Sequence, residues 1–355
     1  MNSVKVALQA QWSVRSSAGA ALPVRLIELL CEIDEHGSLA QACKASGSSY
    51  RHAWNLVREA EALVGMPLLE MRRGKGSSLT ALGQCFVWAQ RRATARLSPM
   101  LETLAAELEA EIHRAMSTPL VPLRIVASHG FAVELLRERL AEQGVPVDWR
   151  YASSAEAAAA LHAGACDVAG LHVPVGELGP VVAAHYAGWF KPQFKLVHLV
   201  LRRQGLMVAP GNPKKIYELQ DLARPSVRFI NRQPGSGSRL LLEHLLQRAG
   251  VDPSHIAGYE QGEFTHAAVA AYVGSGMADA AFGVETPARR FKLDFLPLQA
   301  ERYFLACDAS TLDNPLMLRM LAIVRSAAYR DAVQVLPGYQ ADLCGTIADL
   351  RDLLH

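Results

Sequence analysis

No stretch of about 18 uncharged apolar residues occurs in the chain, so nothing in it is expected to span a membrane. The opening segment, Met1 to Trp12, holds one lysine and no continuous apolar run. It does not read as a secretory signal, and the protein is expected in the cytoplasm. C-x-x-C is missing too. The six cysteines, Cys31, Cys43, Cys85, Cys166, Cys307 and Cys344, lie far apart, which suits neither a disulfide scaffold nor zinc or iron–sulfur ligation. Buried, reduced thiols are the expectation. Catalytic signatures are equally scarce. H-E-x-x-H, G-x-G-x-x-G and G-x-x-x-x-G-K-[ST] do not occur, and Gly235-Ser236-Gly237-Ser238-Arg239 lacks the G-x-S-x-G order of a nucleophile elbow. No catalytic residue, metal or cofactor is expected, and the chain is not read as an enzyme.

Net charge is small: 36 Lys and Arg stand against 34 Asp and Glu, so the total of +2 marks no polyanion partner by itself. What is present suits a globular protein, with 50% hydrophobic, 20% charged and 7% aromatic residues, and excludes disorder and collagen-like repeats. At roughly 150 residues per domain, two to three folded units are expected.

Leu26, Ile27, Leu30 and Ile33 recur at helical spacing within Leu22–Asp34, and His36-Gly37 ends that helix. Ser38 then caps a short helix, Leu39–Ala45. After Ser46-Gly47-Ser48, Ser48 or Ser49 starts a third, from Tyr50 to about Val64. Two helices across a tight glycine turn form a helix–turn–helix, whose second helix enters the major groove. That helix presents Ser48, Ser49, Tyr50, Arg51, His52 and Asn55. Arg pairs with guanine, Asn with adenine, and Ser reaches phosphate or base edges. A merely solvated helix face would carry the same residue types.

The following segment favours DNA. Leu68–Met71 and Ser78-Leu79 flank Arg72-Arg73-Gly74-Lys75-Gly76-Ser77, a basic glycine hairpin of the kind called a wing, with Arg72, Arg73 and Lys75 as phosphate contacts. From Ser38 to Arg96 nine Lys and Arg face three acids, a local excess that the whole chain does not share. Thr80 caps a long helix, Ala81 to about Met116, in which Leu97, Leu101, Leu104, Leu108 and Ile112 form a seam for a partner helix. A dimer doubles the DNA contacts of one reader, so a homodimer or homotetramer is expected.

This region, roughly Leu22–Leu97, resembles the winged helix–turn–helix of LysR-type regulators and, more closely, of the molybdate-responsive ModE family. The S-Y-R-H-A-W element, the basic hairpin and L-T-A-L-G carry the likeness.

Ser117-Thr118-Pro119 with Pro122 marks a boundary. Strand and helix signals then alternate: Leu123–Ala127 strand, Phe131–Glu142 helix, Val145–Tyr151 strand, Ser154–Ala163 helix and Asp167–Val173 strand. Such βαβαβ order calls for a parallel sheet. Further on, Val197–Val208, Val227–Ile230, Asp279–Val284 and Leu296–Cys307 read as strands. Lys215–Leu222, Leu240–Ala249, Thr265–Gly274 and Pro315–Val335 read as helices. A single sheet holding all of this would be very wide. Two α/β lobes suit it better, with the chain crossing near 190–206 and 295–303 and a ligand in the cleft between.

The domains expected are 1–80 (reader), 81–118 (linker and dimerisation helix) and 119–355 (two-lobed effector domain). Within the last, lobe 1 takes about 119–195 and 304–355, and lobe 2 about 205–295. The fold class is α plus α/β.

Asn231-Arg232-Gln233-Pro234-Gly235-Ser236-Gly237-Ser238-Arg239, at a strand-to-helix junction, reads as an oxyanion cradle of backbone amides and hydroxyls, with two arginines beside it. Ser128-His129-Gly130, Ser153-Ser154 and Thr265-His266 start helices in the same way, and four such junctions meeting in one cleft would hold an anion without a metal. Helix capping alone explains each junction singly. His129, His172 and His266 read as capping or packing residues rather than bases.

From Leu123 to about Asp308, F-I-N-R-Q-P-G-S-G-S-R, D-V-A-G-L-H and T-H-A-A-V-A-A-Y-V-G-S-G-M-A-D-A-A-F-G-V-E resemble the periplasmic-binding-protein-like domain that follows such readers in some bacterial regulators. The resemblance implies a type 2 two-lobed fold and a ligand tied to molybdate, tungstate or molybdoenzyme metabolism, as in regulators of formate dehydrogenase operons. Asn231, Arg232, Ser236, Ser238 and Arg239 would line the cleft, with Gly237, Ser128, His129, Ser153 and Thr265 beside them. The partners expected are an operator in double-stranded DNA and a small anionic effector. The alternative is a DNA-binding protein whose second fold serves only oligomerisation.

Overall fold

The computed structural model describes residues 6–15, 19, 21–72, 76–116 and 121–350, and separates the chain into two compact units, one of them Gln9–Ser98 and the other running from Pro99 onward. In the first, α1 (Val24–His36), α2 (Leu39–Ser46) and α3 (Tyr50–Val64) pack Leu26, Leu30, Ile33, Leu39, Val57 and Leu68 into one core. Ser38 caps α2 by accepting from the Gln41 amide, and Gly47, at φ 68°, makes the left-handed turn into α3 that a side chain would disfavour. The hairpin is present as β1 (Leu69–Arg72) antiparallel to β2 (Gly76–Leu79), with Leu69 opposite Leu79. Buried Ser77 accepts from the Leu39 amide at 3.0 Å, which ties the hairpin to the start of α2. Thr80 accepts from the Gly83 amide at 3.1 Å and so caps α4 (Ala81–Met116), the long helix that carries residues of both units.

In the second unit β3 (Leu123–Ala127), α5 (Phe131–Glu142), β4 (Val147–Tyr151), α6 (Ser154–His162) and β5 (Val168–Pro174) alternate, and β3 pairs in parallel with both β4 and β5. After α7 (Leu178–Ala184), β6 (Phe194–Val208) leads to β7 (Phe229–Arg232), α8 (Gly237–Arg248), β8 (Gly262–Glu263), α9 (His266–Gly274), β9 (Ala280–Val284) and α10 (Glu285–Arg290). The chain returns along β10 (Asp294–Asp308) and ends in α11 (Pro315–Arg325), α12 (Ala327–Gln334), β11 (Tyr339–Gln340) and β12 (Ile347–Asp349).

The strand order β4-β3-β5-β10-β6-β9-β7-β8, with β11 and β12 on β6, corrects one expectation. The two lobes share a single continuous sheet, because β6 and β10 run antiparallel through both. One lobe hangs on the β5 side, the other on the β9 side. Register shifts at Pro297/Gln299 and Tyr303/Phe304 redirect β10 between them. At this crossing a Cβ on Gly205 would lie 2.0 Å from the Leu296 carbonyl oxygen, so only glycine fits there.

Other departures have local causes. The expected helix over Lys215–Leu222 is replaced by a turn and a short 3-10 stretch, Leu219–Ala223. The Asn212 side chain bonds both the amide and the carbonyl of Ile216, at 2.9 and 2.8 Å, and competes with helical pairing. Ser326 divides Pro315–Val335 by capping α12 through the Tyr329 amide. Cys43, Cys166, Cys307 and Cys344 are buried as expected, whereas Cys85 is exposed and Cys31 half-buried. On α4 the exposed apolar residues are Leu97, Met100, Leu104, Leu108 and Ile112, while Leu101 is half-buried, so Met100 replaces it in the seam.

Candidate functional site

All six reader residues named on or before α3, Ser48, Ser49, Tyr50, Arg51, His52 and Asn55, are exposed. They are held in place from behind by Ala53, Val57 and Ala60, which bury the opposite face. Tyr50 stacks with Trp54 at 6.4 Å, and Arg58 lies over the Trp54 ring at 4.9 Å, so aromatic surface continues beside the polar groups. Of the hairpin cations, Arg73 and Lys75 lie outside the described residues, and for Arg72 only the backbone is described.

The second unit holds an open cleft between its lobes, about 410 Å³ of space with the solvent at its mouth included. Four helix starts meet there: Ser128 and His129 before α5, Ser153 and Ser154 at α6, Ser236, Gly237 and Ser238 at α8, and Phe264 and His266 at α9. Each start points unpaired N–H groups and the positive end of a helix dipole along its axis. Ser153 and Ser236 also cap their own helices, accepting from the Glu156 and Arg239 amides. Capping and lining therefore coexist in the same residues.

Beneath the helix starts, β5, β6 and β7 bring in side chains. His172 Nδ1 is 2.9 Å from Ser154 Oγ and its Nε2 3.4 Å from Ser128 Oγ. His266 Nε2 is 3.5 Å from Ser238 Oγ, and its buried Nδ1 has no hydrogen-bond partner among the described residues. Burial first, and then the charges of Arg202 and Arg232, hold both imidazoles well below the usual histidine range, so they stay neutral. The unfolded chain takes up protons at these histidines below about pH 6.5 and the folded chain does not. Stability is therefore complete above that pH and falls as pH drops through it. Unfolding free energies from urea denaturation at pH 7.5 and 5.5 should differ by about 1 kcal/mol or more per histidine, and a His172→Asn/His266→Asn pair should flatten the difference. Equal free energies for the unaltered protein would mean that the rings protonate in place.

Two guanidiniums face the cleft and differ in kind. Arg202 is neutralised: its Nε and Nη2 lie 2.8 and 2.7 Å from Glu301 Oε2, which also accepts from Gln204 at 2.6 Å, all three groups being buried. Arg232 has no carboxylate within ion-pair distance among the described residues. It donates only to the carbonyls of Glu263 (3.3 Å) and Phe264 (2.7 Å). Burial and the neighbouring Arg202 press its pKa down to about 9, so it remains cationic at neutral pH. The cleft thus carries one uncompensated positive charge beside four helix N-termini, and a small acceptor-rich anion complements it.

Of the residues read from sequence, Ser128, His129, Ser153, Arg232, Ser236, Gly237 and Ser238 line the cleft. Asn231, Arg239 and Thr265 do not. Asn231, adjacent to Arg232 on a strand and so directed to the other face, bonds the Tyr259 carbonyl. Arg239 turns to Glu260 at 2.8 Å and Glu243 at 3.4 Å, and Thr265 caps α9 through the Ala268 amide. Sequence reading missed Arg202, Gln233 and Phe264, and gave His172 and His266 no ligand role. The Arg202-Arg203 pair in the otherwise mostly apolar run of β6 was the available signal for Arg202. Among the described residues no group of three His, Cys, Asp or Glu is disposed to hold a metal ion, and no helix is long and apolar enough to cross a membrane.

Residues 136–325 match the PBP superfamily domain, and residues 24–84 match the bacterial regulatory helix-turn-helix protein, lysR family. The uncharacterized protein YvgK of Bacillus subtilis (strain 168) is 32% identical over 229 residues, 64% of this chain and 73% of that protein. An uncharacterized protein in the ferredoxin 2Fe-2S gene 5' region of Clostridium pasteurianum is 35% identical over 109 residues, 30% of this chain and 96% of its own length. Among solved structures, a hydrogen peroxide-bound OxyR mutant of Corynebacterium glutamicum aligns over 88% of this chain and 94% of its own, with 14% identity and a TM-score of 0.45.

Proposed function

The chain belongs to the PBP superfamily and carries the DNA-binding helix-turn-helix of lysR-family regulators; as such it is a transcriptional regulator with an effector domain, and we propose that its effector is a small oxyanion seated between the lobes. The observation that carries this reading is the convergence of four helix N-termini on Arg232, a buried cation with no carboxylate partner among the described residues. Hydroxyls of Ser128, Ser154, Ser236 and Ser238 add donors around the same space. So many donors suit a tetrahedral dianion of the molybdate and tungstate class better than formate, which offers two acceptor oxygens. The sequence resemblance points the same way, and extends the proposal to molybdoenzyme or formate dehydrogenase genes as targets.

On DNA, Arg51, His52 and Asn55 take the base edges, assisted by Ser48, Ser49 and Tyr50, while Arg72, Arg73 and Lys75 hold phosphates. The exposed apolar seam of α4 supports a homo-oligomer. The closing of the lobes on an anion favours one arrangement of that assembly, which requires different affinities for the anion in the two arrangements.

Thermal denaturation with molybdate, tungstate, sulfate and formate tests the effector. An anion at a hundred times its dissociation constant adds about 2.7 kcal/mol, a rise of a few degrees for a domain this size. No stabilisation by any of the four would leave the oligomerisation reading in its place.

A further inference from the structure

The wall of the cleft has a second set of partners. His129 lines the cleft, and its Nε2 stands 2.7 Å from Glu134 Oε1 on α5 and 3.8 Å from Glu102 Oε2 on α4. The two carboxylates are held unequally. Glu134 is kept ionised by its close contact with His129, helped by Arg290 and Arg137, which outweighs its burial. Glu102 is held more loosely, with Arg137 Nη2 at 3.5 Å, His129 Nε2 at 3.8 Å and the Tyr151 hydroxyl near enough to favour its charged form, and its buried Oε2 makes no close hydrogen bond among the described residues. Burial, helped by the Glu134 charge, pushes its pKa up against His129, Arg137 and Tyr151. The Tyr151 ring, 5.2 Å from that of His129, closes the group from β4. A half-buried carboxylate with one oxygen sealed from water and unbonded is poorly satisfied where it stands.

An anion in the cleft brings further negative charge beside a ring that already serves two carboxylates. Like charges repel strongly where water is scarce, and the group with the weakest hold gives way. We propose that His129 and Glu102 form a relay, in which an anion entering the cleft expels Glu102 and thereby frees the 99–112 stretch of α4 from the cleft wall. The inference rests on the oxyanion reading above and gives that site its route to the long helix. Two states follow: Glu102 seated with the cleft empty, and Glu102 released with it filled. Coupling is reciprocal, so removing the Glu102 charge must tighten anion binding.

Amide hydrogen exchange on the full chain, with and without molybdate, tests the relay in the unaltered protein and in Glu102→Gln. In the unaltered protein, peptides spanning 99–112 should exchange about fivefold faster with molybdate. In Glu102→Gln they should exchange fast from the outset, molybdate should add under about a fifth of the original change, and molybdate should bind about fivefold tighter. A purely structural role for Glu102 predicts no gain in affinity. A variant that exchanges like the unaltered protein without ligand, or retains its molybdate-induced change, overturns the relay. Absence of any molybdate stabilisation in the unaltered protein overturns instead the reading of the cleft on which the relay rests, and the thermal measurement tells the two failures apart.

Discussion

Glu301→Gln is expected to lower the unfolding free energy by about 3–5 kcal/mol, among the largest effects of any single substitution in the second unit. Glu301 and Arg202 stand directly opposite in the β10–β6 register, both almost wholly buried, and Gln204 adds its amide to the same oxygen. Glutamine keeps the shape and an acceptor oxygen but leaves the Arg202 charge without a counter-ion, beside Arg232, which has none either. The same change should tighten anion binding, since it removes a carboxylate near the cleft floor. Stability and affinity then move in opposite directions, a pattern that mere misfolding does not produce. Urea denaturation and anion titration of the same preparation check both halves. A loss under about 1 kcal/mol would place the pair among solvated ion pairs of little consequence.

Arg232→Met should do the reverse. Truncating one member of a buried charge pair costs about 2–5 kcal/mol of binding, so anion affinity should fall by about 30-fold to several thousand-fold. Stability without ligand should hold or rise, because Arg232 forms no ion pair among the described residues and its removal relieves its burial and its repulsion with Arg202, which outweigh the distant pull of Glu301. Arg232→Lys should retain part of the affinity, the charge remaining without the planar fork. Unchanged affinity in Arg232→Met would remove the anion from this cleft altogether. Read side by side, the two variants separate the cation that stabilises the fold from the cation that is free for a ligand.

How far these groups could be seen in the sequence follows from how local their causes are. The bounds of α3, α4 and α5 and the four serine- and threonine-bearing helix starts were legible, because caps, glycine turns and periodicity act within a few residues. Arg202 and Glu301 are 99 residues apart, and only the strand register brings them together, so no local pattern announces the pair. His172 lies in the apolar run of β5, where a packing role is the ordinary expectation. Arg239 and Asn231 carried suitable chemistry next to the right glycine turn. Helix direction and strand alternation, which the bare sequence does not fix to the residue, sent them elsewhere.

The place of β10 between β5 and β6 also orders events in time. A chain emerging from the ribosome produces the strands of the β5-side lobe first, yet that lobe lacks its inner partner until residues 294–308 have been made. The β9-side lobe, whose strands and helices fall between β6 and β10, can assemble sooner. Until the returning strand arrives, the long free edges of β5 and β6 are open to wrong pairing with other chains.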